Sequence, residues 1–132
     1  MPIVLDTHAW VWWVTGDRRL SPRLAQLIKK TAAAEGVWIS AISVWEVAKK
    51  VQKRQLVLDR PLESWMESAL AQEGLGVVEL TPPILFASCQ LPEPFHGDPA
   101  DQMIVATVRL RRGQLITKDE KIRQYPHVVT LW

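Results

Sequence analysis

The sequence predicts a three-layer α/β domain in which helices flank a mainly parallel central sheet, with residues 1–132 forming one domain. Short apolar runs alternate with longer segments whose apolar residues recur every three or four positions, the order expected of strands joined by crossover helices. Proline and glycine punctuate the alternation where helices start and stop. Two of the apolar runs lead into acidic residues, and in open parallel sheets ligands bind at the carboxyl ends of the strands.

Each element follows from local signals. The run Pro2-Ile3-Val4-Leu5, closed by Asp6, reads as a buried strand over residues 2–6, and Thr7 to Val14 as an apolar helix ended near Gly16. Ser21-Pro22 supplies an N-cap and a proline at the first helical position, opening a helix with Leu24, Leu27 and Ile28 on one face. Gly36 stops it, and Val37-Trp38-Ile39 is the second strand. Ser40 or Ser43 caps a helix running to about Arg54. Pro61 starts another, with Leu62, Trp65, Met66, Ala69 and Leu70 at helical spacing, ended by Gly74 to Gly76. Val77 to Leu80 is the third strand, and Thr81-Pro82 opens a short helix through Leu91. A proline-rich loop over Pro92 to Gly97 precedes Asp98-Pro99, which caps a helix ending near Arg112-Gly113. A strand at Leu115 to Thr117, a short helix and a strand at Val128 to Leu131 complete the pattern.

Composition excludes several classes of function. A chain of this length buries a core without disulfides or zinc. The lone Cys89 cannot form an intramolecular disulfide, and its neighbours Ser88 and Gln90 offer nothing to lower a thiol pKa, so it is expected to be a small buried hydrophobe. No apolar run approaches the roughly 20 residues of a membrane helix. With no basic stretch before the first apolar run, which Asp6 interrupts, a secretory leader is not expected and a cytoplasmic location is. The tryptophans Trp10, Trp12, Trp13, Trp38, Trp45 and Trp65 fall at periodic positions and are expected mainly in the core.

Net charge is only +2, yet the basic residues are grouped: Arg18-Arg19, Lys29-Lys30, Lys49-Lys50 with Lys53-Arg54, Arg109 with Arg111-Arg112, and Lys118 with Lys121 and Arg123. Solvated helix faces account for part of this. If a cation neutralised the clustered acids, the remaining surface would favour a polyanionic partner.

Asp6, Glu46, Asp101 and Asp119 each lie at or near the end of a predicted strand or the start of a predicted helix, where they could face one crevice. Unpaired carboxylates held together repel by about 1–4 kcal/mol per close pair, a cost that a divalent cation removes. Each also has a structural alternative. Ser43-x-x-Glu46 matches a capping box, Asp98 an N-cap with Asp101 at the third helical position, and Asp6 and Asp119 could cap the turns that follow them.

The segments Ile3-Val4-Leu5-Asp6-Thr7-His8-Ala9, Ile39-Ser40-Ala41-Ile42-Ser43-Val44-Trp45-Glu46-Val47, His96-Gly97-Asp98-Pro99-Ala100-Asp101-Gln102-Met103-Ile104-Val105-Ala106 and Leu115-Ile116-Thr117-Lys118-Asp119 resemble, in order and spacing, the signature segments of PIN-domain ribonucleases, in particular the VapC-type toxins of type II toxin-antitoxin pairs. The resemblance covers essentially the whole chain. It implies a PIN-like fold and a magnesium- or manganese-dependent endoribonuclease that hydrolyses RNA with a metal-activated water. Asp6, Glu46, Asp101 and Asp119 would form the acidic, metal-holding pocket. Thr7, Ser43 and Thr117 match supporting hydroxyls, and Asp98 either supports the pocket or caps its helix. A homodimer inhibited by an antitoxin, whose basic residue enters the pocket, is implied as well. Gly97 and Gln102 depart from the common pattern, in which arginine is frequent, and this bears on local salt bridges. His8 and His96 lie beside the acids and invite a general-acid role, whereas His127 has no supporting context.

Two rivals remain in view. A response-receiver domain would need an acid pair after the first strand and an aspartate after the third, where this chain has Thr81-Pro82-Pro83. A non-catalytic PIN-like module that binds RNA or protein would be expected to have lost one of the acids.

Overall fold

The computed structural model describes residues 1–132 and contains the predicted elements in the predicted order. They are β1 (Ile3–Leu5), α1 (Thr7–Thr15), α2 (Pro22–Ala34), β2 (Val37–Ser40), α3 (Ala41–Gln52), α4 (Leu62–Leu70), β3 (Leu75–Val78), α5 (Pro82–Ser88), α6 (Pro99–Leu110), β4 (Gln114–Ile116), α7 (Glu120–Arg123) and β5 (Thr130–Leu131). The strands form one sheet in the order β3-β2-β1-β4-β5. Every pairing is parallel, so the sheet is wholly rather than mainly so.

Side chains alternate across the sheet with period two, and both faces are covered, which is why the strands read as continuous apolar runs. Ile3 and Leu5 join Ile39, Ile116, Trp10 and Trp65 in one core cluster. Val4 and Leu115 join Ile104, Val105 and Val108 of α6 in the other. Trp10 and Trp65, both essentially inaccessible, meet edge to face at 5.6 Å and fix α1 against α4. No helix is long and apolar enough to cross a membrane.

Several local expectations need correction. Gly74 and Gly76 do not end a helix, since α4 stops at Leu70, and Gly76 lies inside β3. It sits opposite Trp38 in the neighbouring strand. A Cβ there would meet the Trp38 ring at 2.4 Å, so the glycine makes room for the indole. α5 ends at Ser88 rather than Leu91, and β5 is reduced to two residues. Cys89, just past the end of α5, is exposed rather than buried. Trp45 is 56% exposed on α3 beside Lys49, so it is not a core residue.

The strand order positions the site. After β1 the chain builds outward through β2 to β3, then crosses through α5 and α6 to place β4 on the other side of β1. The connections leaving β1 and β4 therefore diverge, which opens a crevice at the carboxyl ends of these two strands. Leu5 is in register with Ile116, so the residues that follow each emerge at the same level.

Candidate active site

Asp6 emerges from β1 into this crevice. Its amide donates to Ile116 O at 3.1 Å, and its Oδ1 accepts from Ala9 N at 2.8 Å, capping α1. On the other side, Asp119 follows β4 and Thr117. Its Oδ1 caps the short α7 through Ile122 N at 3.0 Å, and its own amide donates to Thr117 Oγ1 at 3.1 Å. Asp98 is the N-cap of α6, accepting from Asp101 N at 3.0 Å, and this fixes the first helical turn so that Asp101 looks into the crevice. The capping alternatives for Asp6, Asp98 and Asp119 are thus all realised, and each carboxylate also lines the pocket.

Glu46 differs. The cap of α3 is Ser40, whose Oγ accepts from Ile42 N at 3.2 Å, so Glu46 lies in the second turn, beyond the reach of a capping box. Instead its Oε1 accepts the hydroxyl proton of Thr7. Thr7 Oγ1 also lies 2.8 Å from Ser43 Oγ. Because a threonine has one hydroxyl proton and it goes to Glu46, Ser43 is the donor in that pair. Thr7, Ser43 and Thr117 are all buried.

Asp6, Glu46, Asp98, Asp101 and Asp119 converge on one pocket of about 470 Å³. Burial, reinforced by the charges of Asp119 and Glu46, raises Asp6 from 3.8 to about 6, although the Ala9 amide and the Thr117 hydroxyl favour its charged form. Asp101 is raised to about 7, first by burial and then by Asp98, Asp119, Glu46 and Asp6. His96 Nε2 stands 3.1 Å from Asp101 Oδ2. His8 Nε2 lies 3.3 Å from Lys50 Nζ. A lysine ammonium can only donate, so His8 accepts there. Burial, Lys50 and Arg19 lower the His8 pKa, which argues against a general-acid role.

The donor set suits a hard divalent cation. All five acids offer oxygen, and two of them hold their protons abnormally tightly, first because burial disfavours their charged forms and then because neighbouring carboxylates add to it. No three acidic or imidazole side chains are clenched tightly enough to hold an ion by themselves. An ion such as Mg²⁺ keeps several waters and needs only one or two carboxylates, so oxygen donors of this kind are compatible with it.

Another wall of the pocket, formed by Trp12, Arg19, Lys50 and Lys118, was not singled out as part of a site from the sequence. Only Lys118, between Thr117 and Asp119, carried a hint, through its adjacency to a candidate acid.

Comparison with known proteins gives the same picture. The chain is 33% identical over 132 residues to ribonuclease VapC22 of Mycobacterium tuberculosis, with 98% of each sequence covered. Its fold is similar to the DNA-bound VapBC structure from Salmonella typhimurium, with a TM-score of 0.73 and 14% identity over 99% of this chain and 97% of the other. A toxin-antitoxin complex from Klebsiella pneumoniae gives a TM-score of 0.66 and 22% identity, covering 97% and 96%. Residues 3–128 match the PIN domain, so a fold with its acids at the switch point of a parallel sheet and a sequence match over nearly its whole length place this chain in the PIN-domain family.

Proposed function

We propose that this chain is a metal-dependent endoribonuclease acting as the toxin of a toxin-antitoxin pair. The observation that carries the reading is the convergence of Asp6, Glu46, Asp101 and Asp119 on one pocket, in a chain 33% identical to a named ribonuclease. Asp6, Asp101, Asp119 and Glu46 are the residues that would hold Mg²⁺ or Mn²⁺. When bound, such an ion neutralises the acids, acidifies a water and offsets charge on the phosphate under attack.

The chain's own groups do the positioning. The carboxylates of Asp6 and Asp119 are held by the caps of α1 and α7, and the first turn of α6 fixes the backbone of Asp101, whose carboxylate lies beside His96. Thr7 holds one oxygen of Glu46, with Ser43 behind it. No cysteine lines the pocket and the Thr7 hydroxyl is committed to Glu46, which supports water as the attacking group. Retention of all the acids disfavours the reading as a non-catalytic binding module.

The implied antitoxin partner is supported by the solved VapBC and toxin-antitoxin assemblies that share this fold. An inhibitory arginine from that partner suits the pocket, because its planar fork pairs with carboxylates and replaces the cation. Self-association into a homodimer and a cytoplasmic location belong to the same proposal. The test is cleavage of RNA by purified protein across magnesium and manganese titrations. Metal-dependent cleavage that disappears in Asp101→Asn supports the proposal. Equal cleavage by Asp101→Asn, or cleavage unaffected by a chelator, would refute it.

A further inference from the structure

The basic wall of the pocket has a chemistry of its own. Trp12, only 8% exposed, is its base. The Arg19 guanidinium lies over the Trp12 ring, 4.8 Å from the centroid. Asp17 grips the same group along one edge: Nη2 donates to Oδ2 at 2.8 Å and Nε to Oδ1 at 3.1 Å. The Arg19 amide also donates to Asp17 Oδ1, at 2.8 Å, which locks the turn between α1 and α2. Lys118 Nζ stands 5.9 Å from the Trp12 ring, and Lys50 is drawn toward the pocket by its hydrogen bond to His8.

The three cations are not equivalent. Asp17 neutralises Arg19, which therefore adds little net charge to the pocket. What Arg19 retains is a planar guanidinium 4.8 Å from the Trp12 ring centroid, in a side chain 63% exposed to solvent. The Asp17 contacts and the Trp12 ring narrow the positions open to the guanidinium, so a ring stacking on its exposed side has less to order. Lys50 and Lys118 have no carboxylate partner and offer uncompensated charge.

Resting on the nuclease reading, we propose that Arg19 is a stacking platform for an unpaired base beside the scissile phosphate, and that Lys50 and Lys118 take the flanking phosphates. The stacked base has to be unpaired, because a base inside a duplex has no free face to present.

The test uses labelled single-stranded RNA oligonucleotides in which one nucleotide at a time is made abasic. Affinity is read by fluorescence anisotropy with calcium in place of magnesium, and cleavage is followed separately with magnesium. For the wild-type protein, one abasic position should weaken binding about 5- to 100-fold. Arg19→Lys, which keeps the charge but removes the plane, should bind the intact strand as weakly as wild type binds the abasic one, with no further abasic penalty. Lys50→Ala and Lys118→Ala should keep the penalty and each lower the slope of log Kd against log salt by about 0.7. The inference is overturned if Arg19→Lys keeps the full penalty, or if no abasic position costs the wild type more than twofold. Binding with this pattern but without cleavage would refute the nuclease reading and leave the platform standing. Failure of the wild type to bind any oligonucleotide would overturn both.

Discussion

Thr7 and Glu46, 39 positions apart in sequence, are joined by a hydrogen bond in which the threonine hydroxyl donates to the carboxylate. This bond ties the start of α1 to the second turn of α3 and sets the orientation of an acid that would otherwise swing on three single bonds. Thr7→Val removes it with little change in shape. It leaves the buried Ser43 hydroxyl without an acceptor, at a cost of about 1–3 kcal/mol. RNA cleavage should fall about 10- to 100-fold, as when other outer hydrogen bonds to metal ligands are lost. Thermal melts and cleavage rates of the same preparation check both halves.

Glu46→Gln separates charge from shape. The amide oxygen can still accept from Thr7, so the melting temperature should move by less than about 2 °C, while cleavage should fall about 100-fold or more. A rate near wild type at limiting metal would return Glu46 to a structural role.

Asp101→Asn should abolish cleavage and raise the melting temperature of the metal-free protein. The aspartate is destabilised first by burial and then by four neighbouring acids, and the neutral amide avoids both effects.

The same electrostatics give a pH dependence. In the folded, metal-free chain Asp6 and Asp101 are raised from 3.8 to about 6 and about 7. Folding therefore takes up protons between those values and 3.8, and the stability this contributes is complete at low pH and lost as pH rises through 6 to 7. Melting of metal-free protein at pH 5.5 should exceed that at pH 8 by about 3–8 °C. Saturating magnesium should shrink or reverse the difference, since the cation binds the deprotonated carboxylates.

Gly74→Ala tests the frame rather than the pocket. Gly74 has φ +77, and a Cβ would lie 2.0 Å from the Ala32 carbonyl oxygen at the end of α2. Denaturant unfolding should show a loss of about 2 kcal/mol or more. Cleavage by the fraction that remains folded should be unchanged, because Gly74 lies at the opposite end of the strands from the acids.

The order of elements was legible because its punctuation is local. Ser21-Pro22, Asp98-Pro99 and Gly16 fix helix ends through caps and dihedrals that involve only their neighbours. The register of β3 was not legible, because Gly76 looks like a turn residue until Trp38 is seen lying against it. Trp45 and Cys89 have core-like compositions but sit on outward faces, which depends on how α3 and α5 are rotated in the packed structure. The acids were visible as candidates because strand ends bring them to one edge of the sheet. Whether Glu46 pairs with Ser43 or with Thr7 depended on Ser40 taking the cap, a competition between two serines that sequence leaves open. The basic wall of Trp12, Arg19, Lys50 and Lys118 was not foreseen, since it is assembled from α1, the turn after it, α3 and the segment after β4.

The position of β1 in the middle of the sheet also sets a timetable. β1 is made before the other four strands, yet Ile3 must wait for Gln114 before its second edge is paired. Asp119 is carried by the segment that follows. A nascent chain can therefore hold Asp6, Glu46 and Asp101 and still lack one wall of the crevice, so the site is completed only once β4 and the segment after it have been made.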